Sequence, residues 1–382
     1  MSEATSIKKV NYFENLDATR FLGFFHVFLA HCFFTANTQI ANSVAFDIAT
    51  KNVRSGFLGL DYFFVLSSFL LTWLALSEIK KTRKFHPGLF LVRRGLRLWP
   101  LYLLLVLATY GFVSLSGDAF SISELPPIRV FLLFYSNIWM SLHGQNFLFL
   151  LVFFWSIAAE EQFYLFWAFV MQFLSKYLPA VILVMIAVSL VFRWYYLENE
   201  PFLFFNTISY LGDFAIGAGI AYLAFSKPQF IIFFQEIPTW LIGGIYLILL
   251  ILTVGYFRWF MSPIMVVTEK LIFCSFFAFV ILEQNYAKNS LFKLGKFKKI
   301  SYLGQLSLGL YCYHGIVLTF LMPWLKIHGF AESNFQVFLI NPLLILGLTI
   351  LISVISYELF EKHVHGLRRK FYPKTSSKTS GV

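Results

Sequence analysis

Apolar runs of about twenty residues, separated by short polar stretches, recur along nearly the whole chain. A helix of that length matches a hydrocarbon core about 30 Å thick. The pattern predicts ten spanning helices, at approximately 17–36, 56–77, 98–116, 147–174, 179–195, 202–225, 237–256, 262–284, 302–323 and 336–357. Between the third and fourth, residues 128–140 are too short to span and are interrupted by Ser136 and Asn137, so they read as a re-entrant or interfacial segment. The predicted fold is an all-α, polytopic helical membrane protein.

Composition agrees with the pattern. Hydrophobic residues make up 59% of the chain, charged residues only 13%, and the mean hydropathy is +0.73, against about 25% charge in soluble domains. With both ends inside, about 22 of the 30 Lys and Arg fall in inner segments, which predicts an N-in, C-in topology. That topology and anionic lipid account for the net charge of +11 without a nucleic acid partner. A membrane domain over 1–360 and a basic cytoplasmic tail over 361–382 are expected, the end of the tail (374–382) being disordered. No removable signal peptide is expected, because the first fifteen residues are polar and no cleavage site follows the first apolar run. Cys32, Cys274 and Cys312 all lie in apolar runs, as buried hydrophobes and not as a disulfide framework or metal cluster.

Charge inside such runs marks the candidate chemistry. Glu160 and Glu161 open an apolar segment, and an ionised carboxylate in hydrocarbon costs about 2.5–3.5 kcal/mol on insertion scales, so both should face protein or a watery cavity. Ser156, Glu160 and Tyr164 recur at i, i+4 and share a helix face, with Glu161 about 100° away. In the first span Arg20 and His31 are eleven residues apart, three turns with about 20° left over and about 16.5 Å of rise, so one face presents both. His26 falls on another face and reads as a core or lipid-facing histidine, and Asp17 reads as the helix N-cap. Arg93, Arg94 and Arg97 form an i+3, i+4 cluster at a helix entrance. Guanidinium forks bind phosphate bidentately, although positive-inside anchoring would also place them there. Trp139, Trp155 and Trp324 read as interfacial anchors, with stacking on sugar as the alternative.

Four regions together resemble the acyltransferase 3 family of integral membrane acyltransferases, which O-acylate cell-surface glycans. Asn15-Leu16-Asp17-Ala18-Thr19-Arg20 followed by His31 is similar to the family's opening Leu-Asp-x-x-Arg and Arg-x10-His motifs. Gly59-Leu60-Asp61-Tyr62-Phe63-Phe64-Val65-Leu66-Ser67-Ser68-Phe69 resembles its Gly-Val-Asp-x-Phe-Phe-Val-Leu-Ser-Gly-Phe signature, with Ser68 in place of Gly. Arg93-Arg94-Gly95-Leu96-Arg97-Leu98-Trp99-Pro100-Leu101-Tyr102 resembles Arg-Arg-x-x-Arg-Ile-x-Pro-x-Tyr. Residues 155–164, which include Ser156, Glu160, Gln162 and Tyr164, resemble the Trp-Ser-Leu-x-x-Glu-x-Gln-Phe-Tyr box. Downstream, Leu211-Gly212-Asp213-Phe214-Ala215-Ile216-Gly217, Ser307-Leu308-Gly309-Leu310-Tyr311-Cys312-Tyr313-His314 and Tyr357-Glu358-Leu359-Phe360-Glu361-Lys362 resemble further family elements, with His363 where Pro is usual.

The resemblance implies an acyl donor of the acyl-CoA type, such as acetyl-CoA, on the cytoplasmic side, a glycan or lipid-linked sugar hydroxyl as acceptor, and a bacterial inner-membrane location. No permanently bound cofactor and no appended extracellular domain are expected. Arg20, Arg93, Arg94 and Arg97 would hold the donor phosphates, and His31 would act as general base, worth about 10²–10⁴-fold. Glu160 or Glu161 would orient His31. Asp61 reads as a site residue or a helix cap, and His314 enters on the resemblance alone. The alternative functions are a transporter or flippase of lipid-linked sugars, which would also need buried charge and a basic inner mouth, and an inactive scaffold.

Overall fold

A computed structural model describes residues 13–116, 125–145 and 149–371. The described residues form helices and turns and no strands. Among the described residues, seven helices are long and apolar enough to cross a bilayer: Val44–Thr82, Pro87–Leu115, Ser175–Tyr195, Thr207–Ser226, Pro263–Tyr286, Ser307–Ile327 and Gln336–Val364. Pro228–Glu236 and Thr239–Val254 meet at 91° and would make an eighth crossing if taken as one span. Exposed Leu183, Val184, Val188 and Val191 on the Leu178–Tyr195 helix show the outer surface such helices present to lipid. The chain is a multi-pass integral membrane protein.

Two of the expected spans, the helices Asn15–Cys32 and Phe154–Phe173, are less apolar than these seven. The first carries Asp17, Arg20, His26 and His31, and the second Glu160, Glu161 and Gln162. The third span starts at Pro87 instead of residue 98, so the Arg93–Arg97 cluster rides on the spanning helix itself, which continues through Pro100 to Leu115. The sixth span is broken into Glu200–Phe205, a 3₁₀ turn at Thr207–Tyr210, and Leu211–Ser226. The ninth breaks at Leu306, between Lys298–Gln305 and Ser307–Ile327.

Residues 128–140 form two short helices, Arg129–Leu132 and Ser136–His143, joined by a bend in which Phe134 takes φ +52°. This segment is tucked against the Phe154–Phe173 helix. Gln162 Nε2 donates to the Phe134 carbonyl at 2.8 Å and to Asn137 Oδ1 at 2.7 Å, and Thr207 Oγ1 donates to Gln162 Oε1 at 2.5 Å. Asn137, wholly buried, donates in turn to the Phe205 carbonyl and to Thr207 Oγ1. Non-helical backbone is tolerated at membrane depth where protein satisfies its polar groups in this way.

Small residues set the tightest helix contacts. Leu211–Ser226 packs along Leu58–Thr82 with Gly217 at the contact, while its Gly212 faces Ser189 and Leu271 on two other helices. A Cβ on Gly217 would overlap the Val65 carbonyl and the Ser68 hydroxyl, so Ser68 abuts a glycine on the facing helix. Gly304 does the same for Asn15–Cys32 against Lys298–Gln305, where a Cβ would overlap the Asp17 carbonyl. The three cysteines are buried and free. Lys362–Leu367 and Arg368–Phe371 fold back onto the Pro87–Leu115 helix. Residues 1–12, residues 147 and 148 of the fourth expected span, and the tail 374–382 lie outside the described residues.

Candidate active site

The first span positions two of the expected residues at different depths. Its helix begins at Asn15, so Asp17 lies inside the first turn and is not the N-cap that the sequence suggested. Asp17 is buried, pairs with Arg20, and accepts from Gln305 Nε2 at 3.2 Å. Arg20, held in this way, lines a cavity of about 80 Å³ between Asn15–Cys32, Leu58–Thr82, Pro87–Leu115, Phe154–Phe173 and Ser307–Ile327.

Arg94 and Arg97 line the same cavity, as do Ser156, Glu160 and Tyr164, the single stripe predicted from i, i+4 spacing. Glu160 accepts from Ser67 Oγ at 2.7 Å and from the Tyr164 hydroxyl at 3.0 Å. Three guanidiniums against one lining carboxylate leave the cavity cationic. Such a site suits an anionic group able to use planar N–H forks, phosphate above all.

Arg93, next to Arg94 in sequence, points elsewhere. It is buried, donates to Glu78 Oε2 at 2.8 Å and to the Phe371 carbonyl at 2.9 Å, and so ties the start of the helix to the C-terminal segment. Glu78 also accepts from the backbone and ring of His86, both at 2.9 Å. Arg93 is therefore not among the cavity residues. Glu161 is buried outside the cavity beside Trp99, and Gln162 is occupied in bracketing the re-entrant segment.

His31 lines a second cavity of about 540 Å³, together with Phe153, Trp155, Gln145, Glu200 and Phe204. Its Nδ1 lies 2.8 Å from the Val27 carbonyl. A carbonyl can only accept, so in the neutral ring Nδ1 carries the hydrogen and Nε2 is the basic nitrogen. Glu160, one of the two carboxylates expected to orient His31, lines the other cavity, and the contact at His31 Nδ1 is this backbone carbonyl. The edge of Phe153 packs against the His31 ring at 5.0 Å between centroids, and the His314 ring is 5.8 Å away. His314 is wholly buried, with Nδ1 at 2.5 Å from the Tyr311 carbonyl. The structure thus brings together two histidines 283 positions apart in sequence (314 − 31).

The two cavities share Leu60 and Tyr311 in their linings. Arg20, Arg94 and Arg97 of the first chamber lie in the N-terminal parts of Asn15–Cys32 and Pro87–Leu115, and His31 of the second lies in the last turn of Asn15–Cys32. Arg20 and His31 accordingly face two chambers that meet at a partition formed by Leu60 and Tyr311. Trp155, expected as an interfacial anchor, instead lines the second chamber and packs on Phe204, Phe205 and Tyr210. Trp324 is half exposed, and Trp139 stacks on His143.

Asp61 belongs to neither chamber. It is the fourth residue of its helix and not a cap, and it accepts from Lys270 Nζ at 2.6 Å. Asp213 lies 3.8 Å from the same Nζ, and the Tyr210 ring packs on it at 3.9 Å. Close by in the same region, Arg193 donates to Glu269 at 2.8 Å and to Ser209 at 2.9 Å, and Tyr256 also donates to Glu269. These are buried ion pairs that lock Leu58–Thr82, Leu178–Tyr195, Leu211–Ser226 and Pro263–Tyr286 together. Sequence reasoning missed this network, whose trace is a lone Lys270 in an apolar run. It named Ser67 and Tyr311 only as members of motifs and gave them no site role, because they carry no charge to mark them. Among the described residues no group of His, Cys, Asp and Glu is arranged to hold a metal ion.

A family model described as an acyltransferase domain matches residues 13–358. The peptidoglycan O-acetyltransferase OatA of Listeria monocytogenes is 24% identical over 335 residues, covering 83% of this chain and 53% of that protein. The O-acetyltransferase OatA of Staphylococcus aureus is 32% identical over 136 residues, 34% of this chain and 23% of that protein. A putative O-acetyltransferase of the same species is 29% identical over 168 residues, 42% of this chain and 25% of that protein. The chain thus spans about half the length of the first of these relatives, or less of the others. No solved structure matches it.

Proposed function

The chain belongs to the acyltransferase 3 family, and on that footing we propose that it is a membrane O-acyltransferase that moves an acetyl group from acetyl-CoA, or a similar acyl-CoA, to a hydroxyl of a surface glycan or lipid-linked sugar. The observation that carries this reading is the pair of chambers meeting at Leu60 and Tyr311, one lined by Arg20, Arg94 and Arg97 and the other by His31. The first is the donor chamber. Its guanidiniums take the phosphates at the mouth, and the thioester arm reaches toward the partition. The second is the acceptor chamber, where His31 Nε2 removes the proton from the attacking hydroxyl, a contribution of about 10²–10⁴-fold.

Glu160 faces the donor chamber, and its role is to orient and balance Arg94 and Arg97 instead of holding His31. Arg93 stabilises the cytoplasmic face. In this reading the protein crosses a bacterial inner membrane ten times, with both ends in the cytoplasm. Residues 1–360 form the transferase domain and 361–382 a basic cytoplasmic tail whose first part docks on the Pro87–Leu115 helix. The distribution of Lys and Arg supports that orientation, and the names of the relatives support acetyl as the group and a cell-wall or related glycan as the acceptor.

The test is transfer from labelled acetyl-CoA to candidate glycans by purified protein. Wild type should label a glycan, and His31→Ala should lose about 100-fold or more of the rate with folding retained. Undiminished turnover in His31→Ala would remove this histidine from the reaction.

A further inference from the structure

Tyr311 occupies the partition itself. It is buried, yet it lines both chambers, and of the two residues shared by the cavities it alone carries a hydrogen-bond donor, the other being Leu60. Its hydroxyl lies 2.8 Å from Ser156 Oγ and 3.0 Å from the Phe153 carbonyl, and Ser156 Oγ lies 3.2 Å from that same carbonyl. This triangle has three oxygen–oxygen contacts and only two hydroxyl hydrogens, so one contact is always without a hydrogen of its own. Withdrawing a donor from a buried acceptor ordinarily costs about 1–3 kcal/mol. Here Ser156 can serve the Phe153 carbonyl when the Tyr311 hydrogen turns elsewhere, and that cost is avoided.

We infer that the Tyr311 hydroxyl is the oxyanion donor of the transfer, a catalytic residue that stabilises the charge developing on the acyl carbonyl oxygen. The inference rests on the proposed acyl transfer and assigns its missing electrophilic partner. A thioester at the partition is attacked at its carbonyl carbon by the acceptor hydroxyl oxygen, which forms the new C–O bond while His31 Nε2 takes the hydroxyl proton. The carbonyl π electrons move onto oxygen, and the Tyr311 O–H donates to that oxygen. When the electrons return, the C–S bond breaks, CoA leaves as thiolate, and the proton held on His31 passes to it. The products are the ester and CoA thiol, and His31 ends neutral.

The location favours this role over a purely steric one. Transfer between two chambers must take place where they meet, and an oxyanion donor is effective only in a dry, preorganised site. The Tyr311 ring is fixed by Phe153 at 6.2 Å between centroids, and its backbone carbonyl is bound to His314 Nδ1. His314 is thus a positioning residue for Tyr311, which accounts for a buried histidine that lines neither chamber.

Tyr311→Phe keeps the ring and removes the donor. For purified protein, kcat for transfer from acetyl-CoA should fall about 10²–10³-fold, with KM for acetyl-CoA unchanged. Hydrolysis of acetyl-CoA by water passes through the same oxyanion and should fall in parallel. A tyrosine that merely closes the partition predicts no change in either rate, because phenylalanine keeps the ring that closes it. Undiminished hydrolysis, or kcat within tenfold of wild type, would overturn the inference. If Tyr311→Phe fails to fold, replacing Tyr311 by 3-fluorotyrosine decides: it keeps the shape and strengthens the donor, so kcat should hold or rise, and a large fall would count against the inference. A wild-type protein that transfers no acetyl group would sink the proposed function and this inference with it, whereas active wild type beside equally active Tyr311→Phe sinks the inference alone.

Discussion

Replacing Arg93 and Arg97 by alanine, one at a time, should separate two roles within a single motif. Arg93 is buried with its carboxylate partner Glu78, the two side chains 8% and 6% exposed and 2.8 Å apart. Removing one member of a buried pair costs about 3–5 kcal/mol, because the other charge is left uncompensated. Glu78 keeps the His86 backbone and ring as donors, which places Arg93→Ala near the lower figure. It also frees the Phe371 carbonyl and loosens the C-terminal segment. Arg97 lines the cationic chamber half-buried. A hydrogen bond to a charged group contributes about 1.5–3 kcal/mol, and solvent screening takes this toward its low end, so CoA affinity should drop about tenfold. The assay is thermal unfolding and CoA binding measured on the same detergent-purified samples. Arg93→Ala should unfold several degrees lower and, where still folded, bind CoA as wild type does, whereas Arg97→Ala should show the reverse. Weak CoA binding by a folded Arg93→Ala, with Arg97→Ala unimpaired, would refute the division of the motif.

Other outcomes follow from single contacts. Gly304→Ala places a Cβ on the Asp17 carbonyl and must push two helices apart, so the unfolding temperature should fall by the equivalent of about 1–3 kcal/mol or more; an unchanged melting profile would contradict the packing. Lys270→Met strands the buried Asp61 and Asp213 and should cost about 3–5 kcal/mol, part of which the double change Lys270→Met, Asp61→Leu should restore in the same melt. Gln162→Leu removes the bracket on the re-entrant segment and leaves Asn137 and Thr207 short of partners, which should appear as faster hydrogen exchange across 129–143, at a cost of about 1–3 kcal/mol.

Much of this was legible along the chain because hydropathy and helical geometry are local. The stripe of Ser156, Glu160 and Tyr164 and the divergence of Glu161 follow from 100° per residue alone and hold in the structure. What the helix period could not tell was which side of a helix meets which neighbour. Arg93 and Arg94 are adjacent and chemically identical, yet the first meets Glu78, delivered by the turn at Arg83 with φ +63°, and the second meets the chamber. Lys270 and Asp61 are 209 residues apart, and only packing reveals them as partners. The break at Leu306 and the close approach at Gly304 belong to a helix contact that no hydropathy window records. Tyr311 stands in a motif but drew no role of its own from the sequence, because a tyrosine in an apolar run looks like core until two cavities are seen to share it.

The central claim is that donor and acceptor enter from opposite faces and meet at one partition beside His31. It is tested most directly in sealed proteoliposomes of defined protein orientation, with labelled acetyl-CoA on the side of Arg97 and a saccharide acceptor on the other. Label should appear on the acceptor across the membrane with wild type, and not with His31→Ala. Product formed only when both substrates share a side, or formed equally by His31→Ala, would contradict the account.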